Sequence, residues 1–144
     1  MPYSIAIAAP DDGQYIAITV EGNVTRRNAL EWVLEAHALG CKAGIHRYLV
    51  DVTQARNVDR VIENYDFAYV DQQGEGIDRS ARTACLAAPE DDSHDFVAIA
   101  IASAGGDFRL FKDRRLAVDF LVADEGAGRD DSVRKAVQGP AENE

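Results

Sequence analysis

Two hydrophobic patterns follow each other along the chain, one typical of strands and one typical of helices. Their order constrains the fold more than any other feature. Alternating apolar residues in 3–9 and 14–20 flank a turn cluster that contains Asp12 and Gly13, which is typical of a β-hairpin. Helix-like and strand-like segments then alternate, giving the order β-β-α-β-α-β-α-β-α. Each later strand is reached through a helical crossover, which requires a largely parallel sheet covered by helices. The sequence therefore predicts one α/β domain with a mixed five-stranded sheet, an N-terminal hairpin and four helices.

The first two helices are predicted from their capping residues and apolar stripes. The first should begin after Thr25 and end between Gly40 and Gly44. Its apolar stripe comprises Leu30, Val33, Leu34 and Ala38. The second helix follows a short apolar run at 47–52, expected to be a central strand, and Asn57 is its expected cap. Its apolar residues at helical spacing are Val58, Val61, Ile62, Tyr65 and Tyr69.

Shorter segments predict the remaining strands and the third helix. Gly22 and Asn23 are expected to end the second strand, and residues 82–88 form the fourth. Residues 94–104 form a helix that is apolar on more than one side, so we expect it to be mostly buried. Apolar and charged residues alternate in 107–111, which is typical of a half-exposed edge strand. The unpaired backbone groups of such an edge favour pairing with a strand of another chain.

The last helix and the domain boundary complete the expected organisation. Asp113 is expected to cap this helix, whose apolar stripe comprises Leu116, Ala117, Phe120 and Leu121. Beyond it the chain is rich in glycine and charge, which favours disorder. We therefore predict a domain over residues 1–122 and an acidic, disordered tail over residues 123–144.

Composition limits which partners and which location in the cell are expected. The net charge of −10 disfavours nucleic acid and anionic lipid as partners, because such a surface repels phosphate groups. No stretch approaches the roughly 20 apolar residues of a membrane span. The N-terminus lacks the pattern of a secretory leader, so the cytoplasm is the expected location. Cys41 and Cys85 stand far apart without neighbouring ligands, as expected of reduced thiols.

Motifs that carry chemistry are missing from the sequence. It has no glycine-rich phosphate loop after a strand and no serine-hydrolase elbow. His94, with Asp91, Asp92 and Asp95, could suggest a metal site or a general base, but acids at the start of a helix more often offset its dipole. His37 and His46 lack a ligand at metal-binding spacing and are interpreted as structural. We expect no catalytic residue, no metal and no cofactor, and hence a protein that is not an enzyme.

Three segments resemble the STAS superfamily, and within it the SpoIIAA-like branch. They are the Tyr48-Leu-Val-Asp-Val52 strand entering a helix, Ser93-His-Asp-Phe96, and Phe108-Arg-Leu-Phe-Lys-Asp113 running into Leu116-Ala-Val-Asp-Phe-Leu121. The resemblance covers roughly residues 3–122. It implies a SpoIIAA-like fold and a non-catalytic module that binds proteins or small ligands. It also implies kinship in fold with CRAL-TRIO lipid-transfer domains.

One regulatory feature of the resembled family is absent. In its sporulation members a serine at the start of the second helix is phosphorylated, which releases the partner. Here that junction reads Asn57-Val-Asp-Arg-Val61 and holds no serine. Thr53 is the nearest hydroxyl, and local turn chemistry explains it better than phosphorylation does. Regulation by phosphorylation at this place is therefore in doubt.

The start of the second helix, its outward face and the neighbouring loops at the strand ends form the predicted binding surface. At helical spacing Tyr65 and Tyr69 lie together, whereas Phe67 lies well round the helix. If the two tyrosines pack on the sheet, Phe67 is left near the surface; the alternative is that it packs under the loop 74–80. Since ligands meet α/β sheets at the carboxyl ends of strands, the candidate binding residues are Thr53, Asn57, Asp59 and Phe67.

Two functions remain open for such a surface. The first is a regulatory or interaction module with a protein partner or with a second copy of itself. The alternative is a carrier of a small apolar or lipid-like ligand, suggested by the CRAL-TRIO kinship and by the apolar third helix. An enclosed apolar pocket beside that helix would favour the carrier, and an exposed apolar patch over a solid core would favour a protein partner.

Overall fold

The computed structural model describes residues 2–9 and 13–123. These residues form five strands, four α-helices and one 3₁₀ turn in the predicted order. The strands are β1 (Tyr3–Ala8), β2 (Tyr15–Val24), β3 (Arg47–Asn57), β4 (Arg82–Leu86) and β5 (Asp107–Phe111). The helices are α1 (Arg26–Ala43), α2 (Val61–Tyr69), α3 (Asp95–Ser103) and α4 (Arg114–Val122), and the 3₁₀ turn is Asp71–Gln73.

The five strands form one mixed sheet in the order β1-β2-β3-β4-β5. β1 and β2 are antiparallel, with Tyr3 opposite Val20 and Ala8 opposite Tyr15, so the predicted hairpin is confirmed. β2, β3, β4 and β5 are mutually parallel, because each is connected to the next by a helix. β3 lies at the centre and β5 at an edge, as the sequence predicted.

Helices cover both faces of the sheet. On one face α1, α2 and α3 pack over a core that includes Ile18 and Trp32. On the other face α4 inserts Ala117 and Leu121 against Leu49. Alternate residues of β3 belong to the two cores, and this is why the strand reads as a continuous apolar run in the sequence.

α1 begins as predicted but buries a different stripe. The Thr25 side chain accepts a hydrogen bond from the Asn28 amide at 3.3 Å, which confirms the cap. The buried residues of α1 are Ala29, Trp32, Ala36, His37 and Gly40. Leu34, predicted to be buried, is 36% exposed. Gly40 is needed where α1 lies closest to the sheet, because a Cβ there would lie 2.1 Å from the Tyr48 hydroxyl oxygen.

Strand lengths also differ from the prediction. Gly22 and Asn23 do not end β2 but lie within it, after a shift of pairing register between Thr19 and Glu21. Gly22 has a φ of 96°, which glycine adopts readily, so the strand continues for 10 residues beside the 11 residues of β3. β4, in contrast, ends at Leu86.

α3 and α4 expose apolar side chains that the sequence placed inside. On α3, Phe96 and Ile99 lie on the surface, so the expectation of a mostly buried helix is wrong. On α4, Asp113 accepts a hydrogen bond from the Leu116 amide at 3.2 Å, which confirms the predicted cap. Leu116 itself is 58% exposed, and the buried stripe narrows to Ala117 and Leu121.

Two predictions fall outside the described residues: the hairpin turn at 10–12, and the tail beyond residue 123. Among the residues that are described, no helix is long and apolar enough to cross a membrane.

Candidate functional site

α2 packs on the sheet with a different side from the one that the sequence predicted. Its buried residues are Asn64, Phe67 and Ala68, and Phe67 packs into the main core. The expectation that Phe67 lies near the surface is therefore wrong, as is the expectation that Tyr65 and Tyr69 pack on the sheet. The exposed apolar residues of α2 and its flanks are Val58, Val61, Ile62, Tyr65, Tyr69 and Val70.

A hydrogen bond to the preceding loop explains why a polar residue occupies the inner face of α2. The Asn57 side-chain amide donates to the Asn64 side-chain carbonyl at 2.9 Å, which satisfies a group that would be costly to bury alone. Phe67 and Ala68 complete the inner face one turn later, at the i+3 and i+4 positions. The side of α2 with more large apolar residues thus faces outward, towards solvent or a partner.

The exposed apolar residues of α2 and α3 lie on one side of the molecule, because these two helices pack side by side on the same face of the sheet. We call this area the α2–α3 surface. Its members are Val61, Ile62, Tyr65 and Tyr69 of α2 and Phe96 and Ile99 of α3. Val61 and Ile99 are each 64% exposed, which is unusual for large apolar side chains on two neighbouring helices.

Two tyrosines give part of this surface a defined shape. The rings of Tyr65 and Tyr69 are stacked, with centroids 4.5 Å apart and an interplanar angle of 22°. Such a pair presents a large amphipathic area with little side-chain freedom left to lose.

The charges borne by α2 and α3 are all negative. They are Glu63, Asp66 and Asp95, and neither helix contains a lysine or arginine. Glu63 is paired with Arg60 at 3.2 Å and Asp66 with Arg26 at 3.5 Å, both from outside the two helices. Two of the three acids on these helices are thus paired with arginines that flank the surface.

The structure brings together three of the four predicted binding residues. Asn57, Asp59 and Phe67 line one recess between α1, α2 and α3. The Asn57 side-chain carbonyl accepts from the Asp59 amide at 3.0 Å, and the Asp59 carboxylate accepts from the Arg26 amide at the start of α1. Asn57 does not cap α2, because Arg60 occupies the cap position without a side-chain bond. These residues tie the loop to its neighbours.

Thr53 lies apart from the other three and is engaged by Asp51. Its hydroxyl and amide donate to one carboxylate oxygen of Asp51 at 2.7 and 2.9 Å, and Arg114 donates to the other oxygen. Burial by itself would raise the pKa of Asp51, but these hydrogen bonds outweigh it and leave the pKa below its ordinary value. Thr53 lies within β3 and not in a turn after the strand, so that part of the prediction is wrong, and its hydroxyl is held by Asp51.

His94 is 3% exposed and lies beneath the start of α3. Its Nε2 atom is 3.3 Å from the Ala55 carbonyl oxygen and 3.5 Å from an Asp91 carboxylate oxygen. Burial is the main cause that lowers its pKa, so the ring is neutral at pH 7. Ser93 does not cap α3 but accepts a hydrogen bond from the Asn57 amide at 3.0 Å. No group of three or more potential metal ligands occurs among the described residues.

Two recesses lie beside α3, and both are small. The recess lined by Phe67 and His94 is mostly apolar and has a volume of about 70 Å³. The other, at the amino ends of β4 and β5, measures about 180 Å³ and has a mixed lining. Pockets that enclose drug-sized ligands measure about 300–1,000 Å³, so neither recess would hold a lipid-like molecule in this conformation.

The sequence analysis placed the binding surface on the second helix but missed the part contributed by α3, although a signal for that part was present. α3 is apolar on more than one side, and such a helix can be either fully buried or half-buried with an exposed apolar face. In this three-layer arrangement one side of every helix on the sheet faces outward. An exposed apolar face follows once that arrangement is known.

Comparison with known proteins identifies the fold. No protein-family model matches the chain, and no curated protein matches its sequence. Among solved structures, the chain is similar to an uncharacterized protein of the DUF3478 family with a SpoIIAA-like fold, from Shewanella loihica. That likeness has a TM-score of 0.53 at 20% identity and covers 83% of this chain and 93% of the other. Since it spans nearly the whole of the other chain, the fold predicted from the sequence is confirmed.

A second solved structure is an antisigma-factor antagonist STAS domain from Rhodobacter sphaeroides. It is 14% identical to this chain, with a TM-score of 0.31, and the match covers 80% of this chain and 90% of that domain.

Proposed function

We propose that this chain, which has a SpoIIAA-like fold, is a non-catalytic binding module that docks on another protein through its α2–α3 surface. The observation that carries the proposal is the group of large apolar side chains left exposed on two neighbouring helices. Soluble monomers rarely leave large contiguous apolar areas to water unless a partner covers them. Tyrosine is also enriched among the residues that dominate binding energy, and two stacked tyrosines belong to this surface.

The size of the recesses favours a protein partner over the alternative function of carrying an apolar ligand. The apolar recess of about 70 Å³ is smaller than an engineered cavity of about 150 Å³ that admits benzene. A lipid-like ligand would require α2 or α3 to move away from the sheet. A protein partner requires no such movement, because the apolar area already faces outward.

The state of the reactive side chains supports a role without catalysis. Burial raises the pKa of the Cys85 thiol to about 12, so the sulfur is not a nucleophile at pH 7. Asp51 is held by Thr53 and Arg114, and the neutral His94 ring faces a backbone carbonyl. Cys85 is thus buried, and Asp51 and His94 are each engaged in structural contacts.

Charge favours a different protein over a second copy of this chain. The whole chain has a net charge of −10, so two copies would repel each other as they approach. The chemistry that fits is an apolar surface flanked by lysine or arginine.

The experiment compares the proteins bound by three forms of the chain in its native cytosol. The double variant Val61→Ser and Ile62→Ser removes apolar area from the surface, and Leu116→Ser makes the same kind of change on the opposite face of the sheet. We expect at least one protein to bind the wild type and Leu116→Ser equally and to be lost from the double variant, with all three melting within a few degrees of one another. Identical sets of bound proteins for all three forms would refute the proposal.

A further inference from the structure

The two edges of the sheet differ in how well they are protected against pairing with another strand. β5, at one edge, carries the exposed residues Asp107 and Arg109, and charged side chains on an edge strand oppose the addition of a further strand. β1, at the other edge, reads Tyr3-Ser-Ile-Ala-Ile-Ala8 and contains neither a charge nor a proline. Its register with β2 is continuous, so no bulge twists it away. β1 is therefore the less protected edge.

The hydrogen bonds of the hairpin determine which backbone groups of β1 point outward. The Glu21 amide donates to the Pro2 carbonyl oxygen at 3.1 Å, so these two residues form a hydrogen-bonded pair, and such pairs alternate along antiparallel strands. The β1 residues bonded to β2 are thus Ser4, Ala6 and Ala8. The β1 residues whose amides and carbonyls point away from β2 are Tyr3, Ile5 and Ile7. No described strand pairs with them.

Side chains on the α1 side of β1 offer apolar area to an added strand. Tyr3 and Ile5 pack against the main core, and the ring centroid of Tyr3 lies 6.3 Å from that of Trp32 in α1. Ile7 lies on the same side, because side chains alternate along a strand, and it is 44% exposed. A β-branched apolar residue placed beside Ile5 and Ile7 would cover area that is now open to water.

Two glutamates of α1 set the charge beside Tyr3. The Tyr3 hydroxyl donates to a Glu35 carboxylate oxygen at 2.8 Å and lies 3.4 Å from one of Glu31. The hydrogen bond to Glu35 is the main cause that raises the pKa of Tyr3 to about 12. Neither glutamate forms an ion pair among the described residues, although Arg27 lies one turn before Glu31 on α1. A strand beside Tyr3 therefore meets two carboxylates that lack a cationic partner.

We propose that the free edge of β1 binds an extended segment of another protein as a sixth strand, with lysine or arginine beside Tyr3 and apolar residues beside Ile5 and Ile7. In this mode of binding, main-chain hydrogen bonds supply affinity and alternate side chains supply specificity. A second copy of β1 does not fit, because β1 has no basic residue and the copy would bring two more glutamates to the same edge. The edge shares no residue with the α2–α3 surface.

The peptide Lys-Thr-Val-Thr-Val-Thr-Lys is a suitable probe, because its symmetric sequence allows pairing in either direction. The measurement is hydrogen exchange of the β1 amides by NMR, with and without the peptide. We expect saturable protection of Tyr3, Ile5 and Ile7, whose amides point outward. Absence of saturation at millimolar concentrations would overturn the proposal. Protection of these three amides in the chain alone would do so as well, because another segment or a second copy would then already occupy the edge.

Two further peptides separate strand pairing from attraction between charges. Exchange of both lysines for glutamate should weaken binding by roughly tenfold, because attraction to the α1 glutamates becomes repulsion. N-methylation of the valines and threonines keeps every charge but removes backbone donors, and it should abolish binding. Binding of the methylated peptide as tight as that of the unmodified one would contradict strand addition.

Variants of the chain test the backbone and the charges separately. Ile7→Pro removes an outward amide that β2 does not use and should abolish binding, whereas Ile7→Ala keeps the amide and should weaken binding far less. The surface variant Glu31→Gln with Glu35→Gln should weaken the lysine peptide by roughly two- to tenfold, and it tests the site even if Ile7→Pro does not fold. Its matched control, Glu90→Gln with Asp92→Asn, removes the same charge after β4 and should bind as the wild type does. Wild-type affinity in the glutamine variant would refute the recognition of a basic residue.

Discussion

At the scale of single residues, the two interior histidines couple stability to pH. His37 and His94 are 8% and 3% exposed, and burial is the first cause that lowers the pKa of each below its ordinary value of 6.5. His37 accepts a hydrogen bond from the Asp78 amide, which requires an unprotonated Nδ1 atom. The Ala55 carbonyl and the Asp91 carboxylate near His94 favour its protonated form, but burial outweighs them. Burial therefore disfavours the protonated form of both rings.

We therefore predict that the free energy of unfolding falls as the pH drops below about 6.5. The unfolded chain takes up protons at these histidines near that pH, whereas the folded chain does so only at lower pH, so protons favour unfolding. Carboxylates with lowered pKa values, such as Asp51, cause a further fall in the free energy of unfolding nearer about pH 4. Urea denaturation at about pH 7.5 and 5.5 isolates the histidines. The double variant His37→Gln and His94→Gln should lose most of the difference, and a wild type equally stable at both values would contradict the prediction.

At the scale of elements, α2 decides which apolar residues are structural and which are free for a partner. Its inner face consists of Asn64, Phe67 and Ala68, and its outer face contains Tyr65 and Tyr69. This assignment makes substitutions on opposite faces of one helix differ sharply in their effect on folding.

We predict that Phe67→Ala lowers the free energy of unfolding by about 3–5 kcal/mol, because it opens a cavity in the main core. Tyr65→Ala removes a side chain that is 47% exposed, and the expected loss is below about 1 kcal/mol. Chemical denaturation of the two variants beside the wild type measures both values. If Tyr65→Ala were as destabilising as Phe67→Ala, the orientation assigned to α2 would be wrong.

The elements differ in how far the sequence could predict them, for identifiable physical reasons. The hairpin, the element order and the caps at Thr25 and Asp113 depend on local chemistry, so short segments were sufficient. The rotation of α2 depends on the hydrogen bond between Asn57 and Asn64, and the buried stripe of α1 on the close approach of Gly40 to the sheet. Such contacts join separate elements, so the spacing of apolar residues within one helix does not predict them.

The candidate sites follow the same rule. The predicted surface residues Asn57 and Asp59 do lie beside α2, as expected from the junction of a strand with a helix. The recess at the amino ends of β4 and β5, in contrast, is lined by His37, Gln72 and Thr83 from distant segments, and no motif in the sequence joins them.

At the scale of the whole molecule, the apolar α2–α3 surface and the net charge of −10 act in opposite directions on self-association. Burying Val61, Ile62 and Ile99 between two copies would be favourable, but it would bring together two molecules that each have a net charge of −10. The repulsion extends over a Debye length of about 10 Å at 0.1 M salt and about 3 Å at 1 M. Salt therefore decides which effect is larger.

We predict a monomer at low ionic strength and weak self-association at high ionic strength, because salt screens the acids without weakening the burial of apolar area. Sedimentation equilibrium across a salt series measures the association constant, and the variant Val61→Ser and Ile62→Ser should abolish the high-salt species while Leu116→Ser should not. A stable dimer at low ionic strength that the double variant dissociates would mean that a second copy is the natural occupant. The proposal of a basic partner from a different chain would then be wrong, since such a dimer would already cover the surface that this partner needs.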